Sequence, residues 1–474
     1  MSREGKLAKN TLVIALGTFL PKLATFATLP ILTACLTKTE YGAYDLVAVL
    51  VALFLPAATL QIQAAAFRFL IDVRNDSNAI SAIVTNIAVF VALTSLPALV
   101  VMSLFLFGQP ASIRIAICLY FFADIAVNAA RQVCRGLGNN LDFSISAIVS
   151  ALGKLVFAVV FVWWLRIGLL GAVYSLFAAS FCSLSYILVK TDVVRHVRWR
   201  SFDRRKLKEM LAYSWPMVPN SLSAWVMRLS DRVVVTYFLG LPANAVFAVA
   251  SKLPGLLFLA QNTFTLAWQE NATLASKDKD VGRYYSAMFQ TMFDLLAGFF
   301  GFLVAIMPWL FPLLVRGDYS AAYAQMPILF LAMFFFGMSS FLGGIYVAFL
   351  KSKSVGMTTA VAAAVNLAVD VGLIKWIGLY AASVSTLVSF LFLFVYRLVD
   401  VQKFAAISYR RGRMAALAAL MAVETALCYA HSPLCQFVNL ALGVSGFAVL
   451  NRSLGAAALR ALAKRLGRHR RGVS

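Results

Sequence analysis

Five cationic side chains lie inside apolar runs long enough to be membrane helices: Lys22, Lys154, Arg228, Arg232 and Lys252. A cation at the centre of a spanning helix costs roughly 2.5–3.5 kcal/mol on insertion scales, so each needs water, an acid or an anion to face. Lysine and arginine recognise phosphate oxygens through charge-assisted hydrogen bonds, and the guanidinium fork can take two oxygens at once. These five are the candidate anion-binding residues. Lys22 shares its helix face with Thr18 and Thr25. The competing reading is that the charges pair internally and only fix helix packing, as Arg228 with Asp231 would three residues on.

Acids lie in the same runs: Asp124, Asp231, Asp294, Asp370 and Glu424, with Asp45 near the start of the second run. An acid near the midplane can bind a coupled proton or sodium ion. Asn366 and Asp370 stand four apart, on one face of a helix, and offer oxygen ligands together. Asp45 shares a face with Thr59 and Gln63. The ion-coupling candidates are Asp45, Asp231, Asn366 and Asp370; helix–helix hydrogen bonding is the competing role. The six Cys are scattered without a C-x-x-C pair, and the three His are far apart, so neither a metal site nor a disulfide framework is expected. No sizeable outer loop supports an enzyme such as a membrane glycosyltransferase or polymerase, and no catalytic residue is assigned. No cofactor is expected; coupling to protons, sodium or the membrane potential stays open.

The chain that must position these residues has 474 residues, of which 62% are hydrophobic and 13% charged. Apolar runs of about 20 residues recur along it, and lipid leaves a backbone only helices or closed barrels. The alternation of a barrel is absent. The fold class is therefore an all-α membrane protein with about fourteen transmembrane helices. The expected spans are 11–33, 44–66, 81–107, 112–131, 143–165, 168–189 and 212–238, then 243–268, 286–314, 322–349, 355–376, 378–397, 413–430 and 433–451. With the N-terminus inside, about 32 of the 42 Lys and Arg fall on one side. Eight of these lie between Lys190 and Lys208, and others run from Arg397 to Arg413. The net charge of +23 is then topogenic rather than a nucleic-acid signal, and both termini are expected in the cytoplasm.

The segment IGLLGAVYSLFAASF (167–181) is similar to IGLYAASVSTLVSF (377–390), so a six-helix unit occurs twice in the same orientation. Parallel repeats with a site between them are a transporter architecture. The organisation expected is a six-helix bundle over 1–189, a basic cytoplasmic linker over 190–211 and a second bundle over 212–400. Two additional helices over 401–451 and a basic tail over 452–474 complete it. In the tail, Leu459, Leu462 and Leu466 oppose Arg460, Lys464 and Arg468; it either lies on an anionic membrane surface or is a disordered topogenic tail. The first, second, seventh and eighth helices carry most of the charges and are expected to face one another across a central cleft.

Several stretches, in order, resemble one family. They are KNTLVIALGTFLPKLATFATLPILTACLTKTEYGAYDL (9–46), AAFRFL (65–70), YVAFLKSKS (346–354), and AVAAAVNLAVD (360–370) followed by IGLYAAS. They are similar to the polysaccharide, O-antigen type, flippases of the multidrug/oligosaccharidyl-lipid/polysaccharide exporter superfamily, over about residues 5–400. The resemblance implies two six-helix bundles in a V shape plus two added helices. It implies movement of an undecaprenyl-diphosphate-linked oligosaccharide from the inner to the outer leaflet of the bacterial cytoplasmic membrane, by alternating access. It also adds Arg68, otherwise read as an interfacial anchor, to the substrate-binding candidates, because AAFRFL is a recurring motif of that family. A polysaccharide polymerase and a chain-length regulator are the partners it implies, beside membrane lipid. The alternatives are a multidrug or cation antiporter of the same superfamily, which would favour an acidic or aromatic cavity, and a flippase for a lipid-linked peptidoglycan precursor.

Overall fold

The computed structural model describes residues 21–452 other than 22, 277, 279 and 431; the side chains of 258–260, 262–264, 266, 267, 270 and 352 also fall outside the description. Lys22, Thr18 and the basic tail 453–474 therefore lie outside the described residues. The chain divides into two compact units, one of residues 1–249 with 314–319 and 374–379, the other of 250–313, 320–373 and 380–474.

The first unit begins with a short apolar helix, α1 (Leu23–Cys35). The sequence LTKTE then starts α2 (Lys38–Thr59) with a reciprocal cap: Thr37 accepts from the Glu40 backbone while Glu40 accepts from the Thr37 backbone. Glu40 also accepts from Leu169 N at 3.2 Å, satisfying the start of a helix 129 residues away. The expected span 44–66 is split. Leu60 and Gln61 both take left-handed backbone angles (φ 44° and 56°), and α3 (Ile62–Asp72) starts afresh, so Gln63 leaves the helix that carries Asp45. Pro56, one turn upstream, removes a backbone donor near that break. Asp76 caps α4 (Ser77–Phe105) by accepting from Asn78 N and Ala79 N. Next come α5 (Ala111–Gly136) and α6 (Asn140–Ala158), the latter winding into a π-helical turn over Val159–Trp164, and then α7 (Gly168–Lys190).

The basic segment 190–211, expected as a linker, is instead packed and hydrogen-bonded onto α4, and its second half is a helix, α8 (Arg204–Ser214), capped by Asp203. After Pro216 the chain enters α9 (Met217–Leu239), and Gly240 (φ 85°) turns it into α10 (Leu241–Ala250). Gly42 is required where α10 crosses α2: a Cβ there would lie 2.0 Å from Leu241 O.

The second unit holds α11 (Gly255–Ala275), α12 (Val281–Leu314), α13 (Ser320–Ala348), α14 (Ser352–Ile377), α15 (Tyr380–Asp400), α16 (Arg411–Tyr429) and α17 (Pro433–Leu450). The expected span 243–268 is also split, because Ser251–Pro254 form turns between α10 and α11. Between helices in lipid there is little hydrophobic drive, so packing and polar contacts hold them. Aromatic packing does this in the second unit: Trp268 stacks on Phe341 at 4.3 Å and donates from Nε1 to the Phe341 carbonyl at 2.8 Å. Close backbone approach holds α17 on α12, where a Cβ on Gly443 would lie 2.5 Å from Gly301 O.

Among the described residues, eleven helices are long and apolar enough to cross a membrane. The chain is a multi-pass, all-helical membrane protein. α9 is long enough as well, but it carries Arg228, Asp231 and Arg232 in its middle. Trp163, Trp164, Trp215, Trp309 and Trp376 lie near helix ends and are all exposed.

Candidate functional site

α9 runs antiparallel to α2 and is joined to it by side chains at several heights. Gln61 Nε2 donates to Ser221 Oγ at 2.9 Å, and Trp225 Nε1 donates to the Val49 carbonyl at 3.0 Å. Further along, Asn244 Nδ2 on α10 donates to the Gly42 carbonyl at 2.9 Å. Gly42, Asp45 and Val49 follow at helical spacing on one face of α2, and Trp225 and Arg232 stand seven apart on α9.

That register brings a candidate cation onto a candidate acid. Arg232 Nη1 donates to both carboxylate oxygens of Asp45, at 2.9 and 2.8 Å, across 187 residues of sequence. The Asp45 side chain is 3% exposed and that of Arg232 14%, so the pair is largely withdrawn from solvent. The Nε and Nη2 donors of Arg232 bond to no described residue. They form a second edge of the guanidinium. Tyr41 and Tyr44 lie beside the acid on α2, and Tyr319 lies against Tyr41. Tyr41 lies 6.1 Å from Tyr44 and 6.3 Å from Tyr319, ring to ring. Lys38 Nζ sits 5.8 Å over the Tyr319 ring and pairs with Asp318 at 2.9 Å. Burial pushes the Tyr319 phenol up to about 12, so it stays neutral at ordinary pH.

The other candidates are dispersed. Arg228 is exposed one turn before Arg232, with Nε turned back to the Ala224 carbonyl at 3.1 Å. Asp231 is buried on the same helix. Lys154 is half-buried on α6, and its charge acts on Asp124 of α5, as does that of Arg131. Arg68 is exposed on α3 and ion-paired with Asp72 four residues on, the geometry of a helix-end anchor. Lys252 is not inside a helix, because the chain turns at 251–254; it belongs to the second unit. Asn366 and Asp370 are both fully buried on α14, and Asn366 Nδ2 donates to Ser385 Oγ at 3.4 Å. The internal-pairing alternative holds for Asp294: Arg413 of α16 grips it through Nε at 3.1 Å and Nη2 at 2.7 Å.

Two guanidinium groups that carry no assignment from the sequence are held by neutral oxygens. Arg397, counted there with a cytoplasmic basic cluster, is 3% exposed within α15. It donates to the carbonyls of Ser339 and Val355 and the hydroxyls of Thr358 and Thr359, all at 2.9–3.2 Å. Arg131 of α5 donates to Ser146 Oγ, the Ser146 carbonyl and Ser183 Oγ at 3.2, 3.0 and 2.8 Å. The signal for both was a Ser or Thr on each neighbouring helix, at the same depth as the arginine.

The family model described as polysaccharide biosynthesis protein matches residues 7–267, more than half of the chain. The chain is thus a member of that family. No curated protein matches it. Among solved structures it is similar to the lipid II flippase MurJ in an inward closed conformation: TM-score 0.70, 10% identity, 94% of this chain and 99% of that one. It is also similar to an inward-facing multidrug transporter of the MATE family and MOP superfamily: TM-score 0.65, 15% identity, 83% of this chain and 98% of that one. A MOP superfamily transporter from Pyrococcus furiosus Vc1 shares the fold at TM-score 0.56 and 14% identity, over 84% of this chain and 95% of that one. The fold is that of these transporters.

Proposed function

We propose that this member of the polysaccharide biosynthesis protein family is a flippase. It moves a polyprenyl-diphosphate-linked oligosaccharide from the inner to the outer leaflet of the bacterial cytoplasmic membrane, by alternating access. One observation carries the site: Arg232, inside a helix bundle, is held by Asp45 through one nitrogen and keeps its Nε and Nη2 edge unengaged by described residues. A diphosphate fits that edge, since charge-assisted N–H···O bonds are the strong ones and the guanidinium plane matches paired oxygens. Arg228, exposed one turn away, supplies a second cation to the same headgroup. Lys22, Lys154 and Lys252 belong to the proposed path by type and position in the sequence, and Arg68 by its family motif.

Coupling is assigned to the buried pair of oxygen-bearing residues on α14, Asn366 and Asp370, and to Asp45 and Asp231 in the first unit. A proton or sodium ion at these acids, or the membrane potential, supplies the drive. One charge moved across 100 mV is worth roughly 2.3 kcal/mol, which favours export of an anion from a negative interior. Cytoplasmic termini, the repeated six-helix units and action beside a polymerase and chain-length regulator belong to this reading. A lipid-linked peptidoglycan precursor is the second reading. It is supported by likeness to the lipid II flippase over nearly the whole chain.

The test is the leaflet distribution of lipid-linked oligosaccharide in cells depleted of the protein, read with an impermeant glycosidase. Accumulation on the cytoplasmic leaflet, relieved by the intact protein but not by an equally expressed Arg232→Ala variant, supports function and site together. An unchanged distribution on depletion overturns the flippase reading and favours drug export. Accumulation of a peptidoglycan precursor instead selects the second reading, and full relief by Arg232→Ala overturns the site.

A further inference from the structure

The basic segment between α7 and α9 is clamped along its length. Thr85 and Asn86, adjacent and fully buried in α4, do the clamping. The Thr85 hydroxyl accepts from Arg198 N at 2.9 Å and faces the carbonyls of His196 and Arg198 at 3.3 and 3.2 Å. Asn86 pairs with the backbone of Asp203 in both directions, Nδ2 to O at 2.9 Å and N to Oδ1 at 3.1 Å. The Asp203 carboxylate then caps α8, accepting from Arg205 N and Lys206 N. α8 turns Met210 and Ser214 fully inward, with Leu207 and Leu211 against the core of the unit, and sends Arg204, Arg205 and Lys208 outward.

The outer face produced this way is cationic and aromatic at once. Lys190, Arg198, Arg200, Arg204 and Lys208 are exposed and form no ion pair with a described residue. Arg195 is paired with Asp192, and Arg205 and Lys206 share Glu209. Among them Trp199 is 76% exposed, Trp215 58% and Phe202 43%. Positive-inside topology needs only the charges. It requires neither a backbone fixed at 196, 198 and 203 nor exposed tryptophans beside the arginines. Aromatic rings with an apolar body and polar tip, beside basic residues, are the composition of a surface seated at lipid headgroups. The cations are also spread from 190 to 208 rather than converging on one point, which suits many headgroups rather than a single diphosphate.

We propose that residues 190–215 form a preformed binding surface for anionic phospholipid headgroups, fixed by Thr85 and Asn86, with Trp199 and Trp215 at the headgroup–acyl boundary.

The experiment is a native mass spectrometry titration of the full-length protein, in neutral detergent, with phosphatidylglycerol and with phosphatidylcholine. Each cation near an anionic surface is worth about 1 kcal/mol, roughly fivefold. Arg198→Gln/Arg200→Gln/Arg204→Gln should lose at least about tenfold in phosphatidylglycerol affinity and nothing for phosphatidylcholine. Thr85→Val/Asn86→Leu keeps every charge but releases the backbone, and should lose affinity several-fold. The triple substitution touches only exposed side chains, so it decides the matter even where the releasing variant fails to fold. Equal binding of the two lipids by the intact protein, or unchanged phosphatidylglycerol binding by the triple variant, overturns the proposal. Displacement of phosphatidylglycerol by equimolar undecaprenyl diphosphate, abolished in the triple variant, also overturns it and assigns the surface to cargo.

Discussion

Breaking the Asp45–Arg232 pair from either side should have unequal effects. Both side chains are withdrawn from solvent, Asp45 at 3% exposure and Arg232 at 14%. Removing one partner of a buried pair costs about 3–5 kcal/mol, mainly because a charge is left in a poor dielectric. Asp45 is the deeper partner, so loss of its guanidinium is the costlier half. Arg232→Met should cost about 3 kcal/mol, the low end of that range because other polar groups surround the acid. Asp45→Asn should cost about 1–2 kcal/mol, since the amide oxygen still accepts from Nη1 and Arg232 is the more exposed partner of the two. At about 2–4 °C per kcal/mol for a unit of this size, the melting temperature should fall by about 6–12 °C and 2–8 °C respectively. The double variant should fall short of the sum by at least about 1.5 kcal/mol, because the second change removes a charge already stranded. Thermal unfolding of the purified protein in one detergent measures all four species. In the leaflet assay Arg232→Met should lose transport, since it removes the anion donor, and Asp45→Asn should impair it, since it removes the competing carboxylate and one of the acids assigned to coupling. Additive melting shifts, or Asp45→Asn costing more than Arg232→Met, would refute the reasoning.

Gly443→Ala and Gly301→Ala should differ although both glycines lie where α12 and α17 approach. The first would drive a Cβ to 2.5 Å from backbone (Gly301 O), whereas the second meets the end of the Glu424 side chain at 2.5 Å, which can turn aside. Gly443→Ala should therefore lower the melting temperature by the larger amount in a side-by-side scan. Arg397→Met removes the hydrogen bonds to Ser339, Val355, Thr358 and Thr359 together and should cost about 3 kcal/mol, with Arg397→Lys intermediate, read from the same melting curves. Thr85→Val/Asn86→Leu should open the segment 196–204 to trypsin at Arg198, Arg200 and Arg204. Mass spectrometry of the first fragments checks this, and cleavage equal to that of the intact protein would show that the clamp does not hold.

What could be read from the sequence was set by how local each signal is. Apolar runs announce spanning helices directly, because length and hydropathy are properties of one segment. Intramembrane charges are equally visible, so Asp45 and Arg232 were both singled out as candidates. Their pairing was not visible, because it depends on the register of α2 against α9 across 187 residues. The break at Leu60–Gln61 was hidden for another reason. Left-handed backbone usually announces itself by glycine or asparagine, and here leucine and glutamine take it. The turn at Lys252 did have a signal, Pro254–Gly255, which two flanking apolar runs outweighed. The basic segment read as a linker because its composition is that of one. The residues that dock it, Thr85 and Asn86, lie in a different helix and look there like ordinary interruptions of an apolar run.

The two ways in which this chain satisfies buried arginines bear on its proposed work. Arg397 is held by hydroxyls and carbonyls, which satisfy its donors without neutralising its charge, and Arg131 is held the same way, with the charge of Asp124 on its own helix acting on it besides. Such a group is fixed on several helices at once and has no reason to exchange partners. Arg232 is held by a carboxylate through one nitrogen, which neutralises it and leaves an edge unused. An unpaired guanidinium at that depth would cost several kcal/mol in the empty protein, and would bind a diphosphate too tightly to let it go. The carboxylate offsets the first cost and weakens the second attraction, since a diphosphate arriving at the free edge also meets the field of Asp45. Affinity for the cargo is then a difference between two competing anions, not the full strength of one ion pair. A protein that must both capture and release an anionic headgroup within lipid needs that difference to be small. The reading thus requires an acid beside the recognising cation, and Asp45 is where the fold of the first unit supplies it.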